Sequence, residues 1–307
     1  MVVKVIQTDD ADRYNRAKRE MNLFKHFFKN KRICTMVIGK AIDAANGLPG
    51  ICACVLQCFK LGTVQTLLDT AHPEFTELFT ATKTRCLRFK QAVAMAKDVL
   101  EGLECMHANK VVHRDIKPGN ICVEIEPSTT DLRFTIIDLG AAVGIQPQSH
   151  QQSTHSLSGT DFTGKFTSMA GLKLPLGTVP FMSPEHIDEF RTVDGRSDLF
   201  SLGVTMYKCL CGRFPFVQPS AKYNINYLAL KLIQAYASAA EANPLKLSRF
   251  CAHPRAVDKV VEVVSKSLRK EPMERYQSAK EMRENIGHID RCWVRWLMFI
   301  MEISMHA

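Results

Sequence analysis

The chain has 307 residues, of which 46% are hydrophobic and 23% are charged, and its formal net charge at pH 7 is +9. This composition excludes a disordered or fibrous protein and supplies enough apolar residues for a sizeable core. The basic excess favours anionic partners, such as phosphates, nucleic acid or acidic peptides, without choosing among them.

Cysteine usage and the chain ends point to a reduced compartment. The eleven cysteines are scattered and form no CxxC pair, so neither a zinc site nor a dense disulfide scaffold is predicted. The first ten residues lack a long apolar core, and the apolar run at 296–301 is too short to span a bilayer. We therefore expect no signal peptide, no transmembrane segment and a cytoplasmic or nuclear protein.

The N-terminal residues alternate between strand and helix patterns. Residues 1–6 are rich in β-branched side chains and predict a short strand. A polar turn then leads into a helix with apolar residues at helical spacing, at Met21, Phe24, Phe27 and Phe28. Two strand-like runs, 33–41 and 51–57, flank a turn with Asn-Gly and Pro-Gly steps. The pattern predicts strand, helix and hairpin.

Helical patterns dominate after Gly62. Residues 62–70 and 89–109 predict helices, and a short strand follows at 134–138. Further helices are predicted near the C-terminus, at 196–212, 221–242, 254–269 and 276–303. The expected organisation has three parts: a small strand-bearing lobe (1–60), a larger helical lobe (61–290) and an apolar helical tail (291–307).

Five motifs occur in a fixed order along the helical part. Residues 113–120 read His-Arg-Asp-Ile-Lys-Pro-Gly-Asn, and 138–140 read Asp-Leu-Gly at a strand end. Residues 177–185 read Gly-Thr-Val-Pro-Phe-Met-Ser-Pro-Glu, residues 198–203 read Asp-Leu-Phe-Ser-Leu-Gly, and Arg275 follows. These motifs resemble the catalytic loop, the metal-binding D-F-G, the end of the activation segment, a buried helix start and a paired arginine of eukaryotic-type serine/threonine protein kinases.

The resemblance implies a two-lobed α+β kinase fold that transfers the γ-phosphate of ATP to serine or threonine hydroxyls of a protein substrate. Asp115 would orient the acceptor hydroxyl and take its proton, and Lys117 would face the transferring phosphate. Asn120 and Asp138 would supply oxygen ligands to Mg²⁺. Thr178 would hydrogen-bond Asp115 and Lys117. The resemblance also implies that Glu185 and Arg275 form a buried ion pair.

The ATP site is matched less strongly in the small lobe. Lys4, in Val-Val-Lys-Val-Ile, resembles the strand lysine that holds the α- and β-phosphates, and Glu20 resembles its helical partner. The hinge is expected at Leu56, Gln57 and Cys58. The implied nucleotide site is Lys4, Glu20, Leu56, Gln57, Cys58, Lys117, Asn120 and Asp138.

The family's glycine-rich phosphate loop has no counterpart here. No G-x-G-x-x-G precedes the catalytic loop, and two strands of the family's small lobe would lie before Lys4. Either further residues precede Met1 in the natural protein, or the natural chain is an incomplete kinase. Because the amides of that loop cradle phosphates, we expect this 307-residue chain to bind Mg-ATP weakly.

The segment 138–185 is longer than is usual in the family. It carries many hydroxyls: Ser149, Ser153, Thr154, Ser156, Ser158, Thr160, Thr163, Thr167 and Ser168. A phosphorylated residue here, modified by an upstream kinase or by the protein itself, would pair with Arg114. The alternative is a solvated insertion.

Two basic or apolar patches have plain interpretations. The block Lys25, Lys29, Lys31 and Arg32 fits a solvated helix face. The tail stripe of Trp293, Trp296, Leu297, Ile300 and Met301 fits an extension of the last helix, the alternative being a partner-binding or membrane-surface helix.

Two other functions compete with an active kinase. A pseudokinase-like or truncated domain acting as a scaffold would explain the missing phosphate loop. A nucleic-acid-binding protein would explain the net charge, but no RNP-like or zinc-finger pattern supports it, so no nucleic acid is expected.

Overall fold

A computed structural model of the chain describes residues 1–43, 49–70, 86–126, 129, 131–144, 178–187, 193–216 and 254–289. The predicted helix at 221–242, the hydroxyl-rich residues 149–168 and the tail at 291–307 lie outside the described residues.

The N-terminal part is one antiparallel sheet with a helix against it. Its elements are the strands β1 (Val2–Thr8), β2 (Met36–Ile42) and β3 (Gly50–Leu56) and the helix α1 (Ala11–His26). The strand order is β1-β3-β2, and β3 pairs antiparallel with both neighbours. The predicted strand, helix and hairpin are therefore confirmed.

Alternation along β1 separates two faces of the sheet. Lys4 and Ile6 point to the side on which α1 packs, whereas Val3 and Val5 are exposed on the other side. Within the described residues β1 pairs only with β3, so it forms an edge of this sheet.

The helix α1 begins at a capping aspartate. The Asp10 carboxylate accepts hydrogen bonds from the backbone N–H groups of Asp12 and Arg13. Met21, Phe24 and the C-cap residue Phe27 are buried. The prediction for Phe28 is wrong, because the helix ends at His26 and the Phe28 side chain is 54% exposed.

The rest of the described chain is mainly helical. Short strands form two-stranded pairs: β4 (Val111–Val112) with β7 (Val143–Gly144), and β5 (Ile121–Ile125) with β6 (Leu132–Ile136). The helices are α2 (Val64–Asp69), α3 (Phe89–Ala108), α4 (Pro184–Ile187), α5 (Gly195–Cys211), α6 (Pro254–Ser267) and α7 (279–289). The mixed α+β character agrees with the expected fold class.

Helix α5 forms the centre of the helical part. Thirteen of its 17 residues are buried, including polar ones such as Ser197 and Thr205, so it is surrounded by other elements. It packs closely on α6, since a Cβ built at Gly203 would lie 2.1 Å from the Ser267 Oγ atom. Helix α3 lies beside α5 and buries its predicted apolar face.

The segment after α1 joins the sheet to the helical part. The Ile136 N–H donates to the Arg32 carbonyl and the Cys34 N–H donates to the Ile136 carbonyl, both at 2.8 Å. The Arg32 guanidinium pairs with Asp98 and Glu101 on α3, each at 2.9 Å. Arg32 therefore does not belong to a solvated face, whereas Lys25, Lys29 and Lys31 are exposed as expected.

No helix in the described ranges has the length and apolar character needed to cross a lipid bilayer. The boundaries proposed for the lobes, the long segment and the tail remain predictions.

Candidate active site

A buried aspartate shapes the loop at 113–120. Asp198, at the start of α5, accepts the backbone N–H groups of His113 and Arg114 at 2.9 and 2.8 Å. Its Oδ2 atom also lies 2.8 Å from the Nε2 atom of His107. Burial acts to raise the pKa of Asp198, but the hydrogen bond and charge of His107 hold it below its ordinary value. Arg114 has a φ of 69°, and these bonds stabilise that unusual backbone.

Three residues fix the Asp115 carboxylate. The Lys117 ammonium donates to its Oδ2 atom at 2.7 Å, and the Asn120 amide donates to the same oxygen at 2.8 Å. The backbone N–H of Thr178 donates to its Oδ1 atom at 2.8 Å. Both carboxylate oxygens therefore accept hydrogen bonds, and these bonds fix the orientation of the Asp115 carboxylate.

Thr178 contacts both predicted partners, though not with one group. Its backbone N–H meets Asp115, and its hydroxyl accepts a hydrogen bond from the Lys117 ammonium at 2.5 Å. Both predicted hydrogen bonds are therefore present, one made by the backbone and one by the side chain. Lys117 is thereby held between Asp115 and Thr178.

Lys4 and Glu20 meet as the sequence predicts. The Lys4 ammonium lies 2.7 and 2.8 Å from the two Glu20 carboxylate oxygens, and Glu20 is buried on α1. Burial acts to lower the pKa of Lys4, but Glu20 outweighs it and the pKa rises above its ordinary value. Lys4 therefore stays positively charged at neutral pH.

Asp138 lies within reach of this pair. Its Oδ1 atom is 3.8 Å from the Lys4 ammonium and accepts the Gly140 N–H at 3.2 Å. The side chain is 49% exposed, and the backbone φ is 61°. Asp138 therefore keeps carboxylate oxygens available to a ligand in the cleft.

A cavity of about 320 Å³ joins these groups. Lys4, Glu20, Asp115, Lys117 and Asp138 all lie on its wall. Its wall also contains Arg13 and Arg16 from α1, which sequence reasoning did not select. A pair of arginines on a helix is no signal by itself, because exposed helix faces commonly carry such charges.

The predicted hinge residues lie apart from this cavity. Leu56 ends β3, the Gln57 N–H donates to the Thr35 carbonyl at 3.0 Å, and Cys58 is exposed. None of the three is on the cavity wall. Their contact with adenine stays a prediction.

The predicted ion pair between Glu185 and Arg275 is confirmed. Two guanidinium nitrogens each lie 2.7 Å from one carboxylate oxygen, and the Ser197 hydroxyl donates to Glu185 at 2.5 Å. Burial acts to raise the pKa of Glu185, but Arg275 holds it below its ordinary value. The ion pair joins α4 to the segment that follows α6.

The neighbouring residue on α4 contacts the loop at 113–120. The Nε2 atom of His186 lies 3.3 Å from a guanidinium nitrogen of Arg114. Burial, together with the positive charge of Arg114, lowers the pKa of His186 to about 4. His186 is therefore neutral at pH 7, and the sequence offered no signal for this contact.

Comparison with known proteins gives a consistent family. The profile of the protein kinase domain matches residues 1–285. Serine/threonine-protein kinase PknB of Mycobacterium leprae is 27% identical over 289 residues, which cover 93% of this chain and 38% of that protein. Serine/threonine-protein kinase pkn2 of Myxococcus xanthus is 29% identical over 197 residues, 64% of this chain and 20% of the relative.

A third relative extends the same pattern. Serine/threonine-protein kinase PrkC of Bacillus subtilis is 25% identical over 197 residues, which cover 64% of this chain and 24% of the relative. The chain spans less than half the length of each of these curated relatives.

Proposed function

Because the chain belongs to the protein kinase family, we propose that it is a serine/threonine protein kinase that uses ATP to phosphorylate protein hydroxyls. The observation that carries this proposal is the held carboxylate of Asp115, on a cavity wall shared with the Lys4–Glu20 pair and Asp138. A carboxylate between fixed donors, beside cations that suit phosphates, fits phosphoryl transfer.

Asp115 acts on the acceptor hydroxyl. It orients the serine or threonine oxygen toward the γ-phosphorus and accepts the hydroxyl proton as the new P–O bond forms. The bond between the γ-phosphorus and the oxygen of the ADP leaving group breaks in the same transfer. Because Lys117, Asn120 and Thr178 hold Asp115, the carboxylate loses little freedom when the substrate arrives.

Two lysines stabilise the charge on the phosphates. Lys117 faces the transferring group, and Lys4 holds the phosphates that stay on the nucleotide. Glu20 orients Lys4 and keeps it charged. This division of roles follows the family resemblance and agrees with the position of both ammonium groups on the cavity wall.

Mg²⁺ fits the donor set of Asn120 and Asp138. Asn120 offers an amide oxygen and Asp138 a half-exposed carboxylate. Mg²⁺ takes one or two protein oxygens and completes its shell with water and substrate phosphates. When bound, Mg²⁺ supplies neutralisation of phosphate charge.

The remaining assignments concern regulation and place. We propose that residues between Asp138 and Glu185 are phosphorylated, by this protein or by an upstream kinase. We also propose that a phosphate on this segment pairs with Arg114. We also propose a cytoplasmic or nuclear setting. Its support is the free thiols among the described residues, which include Cys34, Cys54, Cys58 and Cys122.

The test is transfer of labelled γ-phosphate to an acidic and a basic generic protein substrate, followed by identification of the labelled amino acid. We expect phosphoserine or phosphothreonine and no phosphotyrosine. Binding of ATP without any transfer to either substrate or to the protein itself would instead support the scaffold alternative.

A further inference from the structure

We propose that Arg13 and Arg16 form a specificity site for an anionic side chain of the protein substrate. The kinase would then prefer acceptor hydroxyls that are flanked by acidic or phosphorylated residues. This inference rests on the proposed kinase function and deepens it by naming the class of substrate.

The first support is the position of the two arginines. They are three residues apart on α1, so they lie on one face of the helix. Both line the cavity whose wall also contains Asp115, Lys117 and Thr178. A peptide whose hydroxyl reaches Asp115 therefore brings its flanking residues close to α1.

The second support is the charge balance of the cavity wall. Its carboxylates have ammonium partners: Lys4 lies 2.7 Å from Glu20 and 3.8 Å from Asp138, and Lys117 lies 2.7 Å from Asp115. Two lysines thus contact three carboxylates, and together with Arg13 and Arg16 the wall carries four cations against three carboxylates, a net charge of +1.

The two arginines have no such match. Neither guanidinium has a carboxylate partner among the residues that the structure describes, and only the backbone N–H of Arg13 meets the Asp10 carboxylate. The wall therefore presents two available guanidinium groups beside the catalytic carboxylate.

A neighbouring cation strengthens the case. Arg19, half-buried on the same helix, has a pKa lowered by burial and by the positive charge of Arg16. Like charges held close together repel, and an anion bound between them relieves that repulsion. An anionic ligand would therefore lower the electrostatic repulsion among the arginines of α1.

The chemistry of arginine selects the ligand. A guanidinium presents a planar fork of donors that matches a carboxylate or a phosphate with two parallel hydrogen bonds. A basic flanking residue would instead meet uncompensated positive charge. The substrate we infer is therefore an acidic peptide, and a phosphorylated residue beside the acceptor would bind most tightly.

The test uses three peptides with one serine each, identical except that the flanking residues are Asp and Glu, Asn and Gln, or Lys and Arg. We expect kcat/KM for the acidic peptide to exceed that for the neutral one by about tenfold at low salt, and less at high salt. In the double variant Arg13→Gln/Arg16→Gln that ratio should fall about fivefold or more. Lys25→Gln, which removes an exposed charge from α1 away from the cavity, should leave the ratio unchanged.

A binding measurement separates this proposal from the proposed function. A labelled phosphoserine peptide with alanine at the acceptor position is titrated into the unmodified protein and into the double variant. Weaker binding by the variant supports the site even if no peptide is phosphorylated, in which case the kinase function fails alone. Equal binding, or an acidic preference that survives in the variant, overturns the proposal.

The protein's own segment is the competing source of an anion. The unmodified protein is treated with phosphatase, and its activity on the three peptides is measured again. If phosphatase and the double variant both reduce activity on all three peptides equally, the arginines bind a phosphate of this chain, and the proposal is wrong.

Discussion

Arg275 and Glu185 lie 90 positions apart in the chain, yet two guanidinium nitrogens of Arg275 each approach one oxygen of Glu185 to 2.7 Å. The Arg275 side chain also donates to the carbonyls of Arg269 and Lys270, both at 2.7 Å. Its guanidinium lies 4.9 Å from the centre of the Phe200 ring. One buried cation therefore ties α4, α5 and the loop after α6 together.

Removing this cation should destabilise the protein. Arg275→Ala leaves Glu185 buried without its partner, which costs about 3–5 kcal/mol in comparable pairs. We expect a clear drop in Tm and in the urea midpoint. Arg275→Lys keeps the charge but not the two parallel hydrogen bonds, so its Tm should lie between those of the alanine variant and the unmodified protein. An alanine variant that melts with the unmodified protein would show that the pair contributes nothing to stability.

Acid should destabilise the fold through His186. Its pKa of about 4 in the folded protein lies below the ordinary 6.5. Between these two pH values the imidazole is protonated in the unfolded chain but neutral in the folded chain. The stability from this group is complete above pH 6.5 and is lost as the pH falls through about 4. Between pH 7 and pH 4 the loss amounts to about 3 kcal/mol.

The matched variant is His186→Gln, which has no titrating ring. Its free energy of unfolding should decline less steeply over that pH range than that of the unmodified protein. Parallel pH profiles for the two proteins would contradict the assignment of the acid sensitivity to His186.

Gly203 should not tolerate a methyl group. A Cβ at this position would lie 2.1 Å from the Ser267 Oγ atom and 3.2 Å from Leu268, on the buried surface between α5 and α6. We expect Gly203→Ala to lower stability by about 1–3 kcal/mol. The control is Gly287→Ala on α7, where an added Cβ would have no neighbour within 4 Å. Because alanine has the higher helix propensity, this substitution should stabilise the protein by up to about 1 kcal/mol. Equal effects of the two substitutions would contradict the close packing of α5 on α6.

Thr178 should contribute to the rate through its hydroxyl. Thr178→Val keeps the backbone N–H that meets Asp115 but removes the acceptor for the Lys117 ammonium. We expect kcat to fall about tenfold, or about 1.4 kcal/mol, with little change in KM for ATP. Thr178→Ser should retain most of the rate. A valine variant as active as the serine variant would show that Lys117 needs no help from this hydroxyl.

Much of the candidate site could be predicted because its residues fall in compact motifs. Asp115, Lys117 and Asn120 lie within one loop, so their proximity requires no knowledge of the fold. Glu185 and Arg275 are far apart, and only the resemblance to a family predicts their contact. The strands and helices near the N-terminus follow from alternation, spacing and turn residues, and the error at Phe28 arose because apolar spacing continues past the end of α1.

Other contacts could not be predicted, since they depend on which helix face meets the cleft. Arg13 and Arg16 look like solvated charges in the sequence, and only the packing of α1 on the sheet turns them toward the cavity. His186 and Arg114 are 72 positions apart, and no motif links them. Arg32 resembles its exposed basic neighbours until the fold places Asp98 beside it.

The central claim is that Asp115 orients the acceptor hydroxyl and takes its proton in a phosphoryl transfer. The most direct test is the rate of single-turnover transfer from labelled ATP in purified Asp115→Asn, with nucleotide binding and Tm measured in parallel. We predict a loss of about 10²- to 10⁴-fold in rate, with folding nearly intact and ATP affinity little changed. A variant that transfers phosphate as fast as the unmodified protein would contradict the role given to Asp115 and the account of the site built on it.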